Sequence, residues 1–322
     1  MIEVIKAGVA DAVHDEGRFG YQHLGINPGG AMDLNAMRVA NALVGNKPYQ
    51  AVIELHFPAS AFYFHRPALV ALSGADFSAK IGGINIPLHR PVLVPEKSEL
   101  KFGKVVSGRI SYLAARGGFA IEPWLNSCST NLLAKAGGYH GRYLRTGDRL
   151  PLKNEPTHTE QLRILPWQVD VQDFYRNSFP IRCLPGREFG WLTRKAQDDF
   201  QKKVFRVDPQ SNRMGFRLSG VTLKQNKQQE LISSAVSWGT VQLLPEGELI
   251  VLMADHQTTG GYPRVAHVIA ADRSRLVQCR PHEGITFAMV TLVEAEDLLL
   301  QQERSLRKLQ YACALKLKEA GL

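Results

Sequence analysis

Short apolar runs, some alternating with polar residues and some continuous, recur along the chain and predict a protein built mainly from strands. Ala68-Leu69-Val70-Ala71-Leu72, Pro91-Val92-Leu93-Val94, Arg109 to Ala114, Leu162 to Leu165, Thr240 to Leu243 and Leu249 to Met253 are bounded mostly by Gly, Pro, Asn or Ser. That punctuation is typical of a sandwich or barrel. The turn Pro245-Glu246-Gly247-Glu248 joins the last two runs as a hairpin. A period near 3.6 appears in few places. Asp33 caps an expected helix from Leu34 to about Val44, with Ala36, Met37, Ala40, Leu43 and Val44 on one stripe and Gly45-Asn46 as the stop. A second short helix is expected from Thr193 to about Phe200, and a long one from about Glu294 to Glu319. Asn131 to Ala136, preceded by the hydroxyl cluster Ser127-Cys128-Ser129-Thr130, also reads as helix-like.

The polar, proline-interrupted stretch Pro151 to His158 reads as a linker. It separates an expected N-terminal domain (residues 1–152) from a C-terminal one (160–293), with the helix of 294–322 following. A chain of 322 residues can bury two cores. Its 44% hydrophobic and 21% charged residues are those of a globular protein. The net charge of +9 points to anionic partners, yet no basic run with interleaved aromatics marks a nucleic-acid surface. The four cysteines are far apart, which argues against a zinc site or a disulfide framework. No apolar run approaches the roughly 18 residues of a membrane span, and the N-terminus lacks a secretory core. The expectation is a cytoplasmic protein, with its ten dispersed histidines pointing to no metal.

Four segments carry candidate chemistry. Between Gly17 and Gly30, five glycines fall in 14 residues, so the backbone turns tightly, approaches a ligand closely and delivers the helix start at Asp33. Arg18 and Gln22 are its candidate substrate-binding side chains; a pair of ordinary turns explains the glycines equally well. The segment is not a P-loop, since no G-x-x-x-x-G-K-[ST] occurs in the chain. The second segment, Gly117 to Asp148, contains the hydroxyl cluster and Gly137-Gly138-Tyr139-His140-Gly141-Arg142. Arg142 is a candidate for a carboxylate or phosphate. In the third, Ser211 to Leu218, alternation places Arg213, Gly215 and Arg217 on one face and Met214, Phe216 and Leu218 on the other. Two guanidinium groups flanking a glycine suit an anion. The fourth, Asp255-His256-Gln257-Thr258-Thr259-Gly260-Gly261-Tyr262-Pro263, follows an apolar strand. Asp255 is a candidate base, with Gln257 and Thr258 as amide-reading groups, although an Asx-type turn also accounts for it.

In this order the segments resemble the family of KipA-like proteins, allophanate hydrolase subunit 2, biotin-dependent carboxyltransferase and the 5-oxoprolinase C subunit. The resemblance runs from about Ile5 to Glu294. It is carried by Gly17-Arg18-x-Gly20 with Met32-Asp33, Asn41-x-Leu43-Val44-Gly45-Asn46, Ile53-Glu54 and Leu72-Ser73-Gly74-Ala75. Gly137-Gly138-x-x-Gly141-Arg142-x-Leu144, Ser211-Asn212-Arg213-Met214-Gly215 and Asp255-x-Gln257 through Pro263 complete it. Asn27-Pro28-Gly29-Gly30 departs from the usual Ser-Gly pair, and Cys128 stands where Arg or Ala is frequent. The resemblance implies a mainly β protein of two cyclophilin-like β-barrel domains with a few short helices and a C-terminal helix. It implies partnership with the A subunit of 5-oxoprolinase, and with its KipI-like B subunit, in a complex that cleaves 5-oxoproline to glutamate with ATP. This chain alone is then expected to be inactive, with Asp255 and Arg213 catalytic in the complex. The alternatives are carboxyl transfer from carboxybiotin to urea or a similar amide, and a KipA-like regulator that binds a kinase inhibitor.

Overall fold

In the computed structural model, residues 1–153, 159–175, 180–226 and 231–322 are described; 154–158 of the expected linker fall outside them. The chain divides into two compact units: Met1–Arg18, Gly29–Asp173 and Arg304–Leu322 form the first, Phe19–Pro28 and Phe174–Glu303 the second.

Two six-stranded antiparallel sheets make the first unit. One runs in the order Arg149–Leu150, Ile2–Lys6, Ala61–Phe64, Ser98–Lys101, Lys80–Ile81, Ile84–Asn85. The other runs Arg163–Ile164, Pro91–Val94, Ala68–Asp76, Ser107–Ala115, Val52–His56, Ala12–His14. Successive side chains of a strand point to opposite faces. Ile2, Val4, Phe62, Phe64 and Leu100 of one sheet therefore meet Val13, Ile53, Leu55, Val70, Leu72, Val92 and Leu113 of the other in one core.

The second sheet's other face is covered by the helix Leu34–Leu43, which packs on strands Ala68–Asp76 and Ser107–Ala115. As expected, Asp33 caps that helix, accepting from the Ala36 amide at 2.9 Å. Its entry is fixed from beneath by a wholly buried Glu54. That carboxylate accepts from the Met32 amide and from the Tyr112 hydroxyl, both at 2.8 Å, and the hydroxyl in turn accepts from the Asp33 amide at 2.7 Å. Burial, with the nearby carboxylates of Glu54 and Asp33, holds the Tyr112 phenol well above its ordinary range, so it stays a donor.

In the second unit an eight-stranded sheet curls into a nearly closed barrel. Its order is Gly284–Ile285, Phe205–Val207, Gly215–Ser219, Leu249–Leu252, Thr240–Leu243, Arg264–Val268, Ile181–Pro185, Phe287–Met289. The first and last strands of that order are separated in the chain by Thr286 alone, so the sheet's two edges are brought together. The expected hairpin is present, with Val241 opposite Val251 and Leu243 opposite Leu249. Phe200, Phe205 and Phe287 fill the interior, the rings of Phe200 and Phe287 stacked at 4.7 Å. Phe200 arrives on the expected short helix, Arg194–Lys202, whose cap Thr193 accepts from the Ala196 amide. The long helix Leu292–Glu319 begins in a capping box, with Glu294 accepting from the Thr291 amide and hydroxyl while Thr291 accepts from the Glu294 amide.

One expected helix is not there. Asn131–Ala136 is a tight loop closed by a bridge between its ends, with Asn131 Oδ1 accepting from the Ala134 amide and Lys135 in the left-handed region. The hydroxyls before it cap nothing helical; Ser127 and Ser129 donate to Asp15 instead.

Replacing Glu54 with Ala leaves a buried amide and a buried phenol without their acceptor. The expected loss is about 3 kcal/mol of unfolding free energy, against about 1–2 kcal/mol for Tyr112→Phe. Urea denaturation of the two variants checks the ranking.

Candidate functional site

Sequence candidates in the first unit sit around an open depression of about 760 Å³ lined by Glu122, Trp124, Lys135, Gly137, Gly138, Tyr139, His140 and Arg149. The floor is set by Asp15, whose carboxylate accepts from the hydroxyls of Ser127 (2.6 Å) and Ser129 (2.7 Å) and from the amides of Gly17 (2.8 Å) and Cys128 (2.5 Å). The hydroxyl cluster is thus occupied by the protein's own anion. Arg18 is wholly buried, donates to the Ser129 carbonyl and lies 4.8 Å under the Trp124 ring. It supports the depression from below. Gly138, at φ 54°, passes so close to Thr130 that a Cβ would lie 1.9 Å from its hydroxyl, so only glycine carries the chain over that floor. Arg142 makes two hydrogen bonds with Asp148, at 2.7 and 2.8 Å, and one to the Tyr143 carbonyl. Its carboxylate partner is internal, and the pair braces the loop.

In the second unit the structure brings together Arg213 and Asp255. Arg213 Nε and Nη2 donate to the two Asp255 oxygens at 2.7 and 2.9 Å, and the Asp255 amide donates to the Arg213 carbonyl at 2.8 Å. The expected open pair of guanidinium groups on one face is not formed. The strand starts only at Gly215, so Arg213 turns inward to Asp255, Met214 is exposed, and Arg217 alone faces solvent. Gly215 has a packing role there: a Cβ would come 2.7 Å from Ile250 Cδ1. Gln257 is exposed and Thr258 half-buried on the loop that the ion pair anchors. Gln22, on the short 3-10 turn Gln22–Leu24, is exposed and belongs to the second unit, whereas Arg18 belongs to the first.

Sequence reasoning gave no role to two histidines near here, His256 on the same loop and His267 on the strand Arg264–Val268. His256 is buried, its Nδ1 2.6 Å from the Gln257 carbonyl; burial lowers its pKa against that hydrogen bond, helped by Arg273. His267 lies across from Thr240, Nδ1 3.3 Å from the hydroxyl, and is held down to about 4 by burial first, then by Arg273 and His256. Nothing in the spacing of single histidines distinguishes them from packed ones; the strand register reveals the pair. Among the described residues no group of three metal-ligating side chains occurs.

The model of the carboxyltransferase domain, subdomain A and B, matches residues 24–289, which span both the anchored loop and the depression. The chain belongs to this family. Within the carboxyltransferase-domain family it is 36% identical over 316 residues to the 5-oxoprolinase C subunit of Escherichia coli, covering 97% of this chain and 98% of that one. The 5-oxoprolinase C subunit of Haemophilus influenzae is 35% identical over 303 residues, covering 94% and 96%. Saccharomyces cerevisiae urea amidolyase is 27% identical, covering 96% of this chain but 18% of that protein. The crystal structure of Kluyveromyces lactis urea amidolyase superposes with a TM-score of 0.87 at 26% identity, over 96% of this chain; the chain spans 20% of that structure's length. The mainly β reading and the family resemblance are both borne out by these matches.

Two outcomes follow from this site. Arg213→Ala strands a mostly buried carboxylate and is expected to cost about 3 kcal/mol. Arg213→Ala with Asp255→Ala together should cost less than the sum of the single changes, measured as a double-mutant cycle in urea. His267 supplies a pH dependence. With the folded pKa near 4 and an ordinary value of 6.5, the unfolded chain takes the proton first. Its contribution is therefore complete above about 6.5 and falls as pH drops toward 4. His267→Gln should flatten that part of the stability profile, read from urea midpoints across the window.

Proposed function

We propose that this chain is the C subunit of an ATP-dependent 5-oxoprolinase, a cytoplasmic complex that opens the lactam of 5-oxoproline to glutamate. The observation that carries the reading is co-extension: the match to the C subunit of Escherichia coli 5-oxoprolinase runs end to end in both chains at 36% identity. The match to urea amidolyase occupies a small part of a much longer protein at lower identity. The partners in this reading are the A subunit together with a KipI-like B subunit, and the chain does not turn over alone. ATP hydrolysis is the driving force at the level of the complex, and no P-loop motif assigns its phosphates to this chain.

A lactam offers one N–H donor and one carbonyl acceptor. Gln257, with both an amide donor and an acceptor, and Thr258, with its hydroxyl, have complementary groups on the loop. Asp255 and Arg213 act as a unit in this account: the guanidinium orients the carboxylate and holds the loop in register. Arg217 and Gln22, both exposed, are available to incoming substrate. Arg18 and Arg142 hold the walls of the first unit's depression.

The full mixture of this chain with the A and B subunits, ATP and 5-oxoproline should release glutamate and ADP together, and omission of this chain should abolish glutamate. Gln257→Ala in the mixture should lower kcat/KM by about tenfold to a hundredfold. An ATP-hydrolysing mixture that releases no glutamate overturns the reading. Loss of turnover on adding avidin assigns the chain to biotin-dependent carboxyl transfer instead.

A further inference from the structure

We infer that Arg273, with Trp238 and His267 beside it, is an oxyanion receptor in the second unit that takes the carboxylate of a small ligand. Its place follows from strand register. Thr240 lies opposite His267, and Gln242, one side-chain step further along the same face, lies opposite Arg264. Val241 and Leu243, on the alternate face, are buried apolar residues. The Thr240–Gln242 face is therefore the polar one.

The less exposed arginines of this unit are otherwise matched to carboxylates. Arg182, Arg213, Arg264 and Arg275 each meet a carboxylate oxygen within 3.2 Å, from Asp272, Asp255, Glu188 and Asp272 respectively. Arg273 meets none among the described residues. Its guanidinium lies 5.1 Å from the Trp238 ring, its Nη2 sits 3.5 Å from His267 Nε2, and its Nε is sealed from solvent with no hydrogen-bond partner. Since arginine only donates, His267 Nε2 is an acceptor and its Nδ1 carries the proton toward Thr240. A largely buried guanidinium without a counter-charge is held at a cost in free energy, so its retention calls for an anion that is sometimes bound.

Gly239, at φ 94°, runs past the arginine; a Cβ there would strike the Val268 carbonyl at 2.8 Å and lie 3.4 Å from Arg273 Nε and 3.5 Å from His267 Nε2. Arg273 as a whole residue is partly exposed, so the receptor is reachable although its Nε is not wet. The charge selects the ligand. Burial keeps His256 and His267 neutral, so the group presents one positive charge, balanced by one carboxylate and outmatched by a phosphate dianion. The receptor stands on these contacts alone. Assigning it the carboxylate of 5-oxoproline rests on the function proposed above.

The test has two parts. In the first, the full chain alone is titrated with 5-oxoproline, acetate and inorganic phosphate while Trp fluorescence is followed in the wild type and in Trp238→Phe. Saturable quenching by the two carboxylates that is absent in Trp238→Phe and weakened about tenfold or more by Arg273→Met is expected. The melting temperature of Arg273→Met without ligand should equal or exceed that of the wild type, an outcome a structural arginine would not give. No response to either carboxylate, or tighter binding of phosphate, overturns the proposal. In the second, the reconstituted complex is assayed with 5-oxoproline and with 2-pyrrolidinone, the same lactam without its carboxylate. Arg273→Met should raise KM for 5-oxoproline about tenfold or more with little change in kcat, and should leave 2-pyrrolidinone unaffected. Carboxylate binding by the chain in a complex that never releases glutamate would retain the receptor and reject the 5-oxoprolinase reading. An unchanged KM would reject the assignment to that substrate.

Discussion

Much of the first unit's loop structure depends on the carboxylate of Asp15. A buried carboxylate must be surrounded by donors, and here two hydroxyls and two amides from two separate segments converge on it. Its own amide donates back to the Ser129 hydroxyl, and its carbonyl accepts from Ala31. The strand Ala12–His14, the glycine-rich turn at Gly17 and the segment 127–130 are thereby held to one another by a single residue. Arg18 and Trp124 stack where that junction leaves them, and the depression above inherits its floor from the arrangement. The chemistry that resembles an anion site in the sequence is an anion site, filled from within.

Saturation of charge by charge is the common theme of the second unit as well. Its ion pairs join loops to strands: Arg213 ties the start of Gly215–Ser219 to the turn after Leu249–Leu252, and Arg264 ties its strand to Glu188. Asp272 draws Arg182 and Arg275 together at the beginning of a helix. These pairs fix where the polar loops stand above an aromatic interior. Against this pattern a guanidinium flanked by a tryptophan and neutral imidazoles is the exception, and exceptions to local consistency gather where proteins bind things.

Elements set by local rules were legible in the sequence. The Asp33 and Thr193 caps, the Gly247 hairpin turn and the long C-terminal helix depend on neighbours a few residues away, and the chain order displays them. Family motifs likewise pointed to the loops that hold the Asp15 junction and the Arg213–Asp255 pair. What alternation missed lay at element ends. Arg213 precedes the first paired residue of its strand, so a period-two reading gave it the wrong face. Asn131–Ala136 has helix-forming residues, yet the left-handed Lys135 and the pull of Asp15 on the preceding hydroxyls make it a loop. The hydroxyl partners of Asp15 lie more than a hundred positions away, and Thr240 meets His267 only through strand register. Non-local hydrogen bonding of this kind leaves no periodic trace.

The closure of the second unit's sheet around Thr286 has a consequence for how the chain is made. Both edge strands of that barrel come from residues 284–289, and the first unit includes Arg304–Leu322. During synthesis the second unit lacks its edge strands until residues 284–289 have emerged from the ribosome, and the first is incomplete until residues 304–322 follow. The early strands must wait with unpaired edges and exposed apolar faces, the state in which β-proteins are most prone to associate wrongly. High contact separation is thus built into both units, and each folds only once its sequence-distant segments are present.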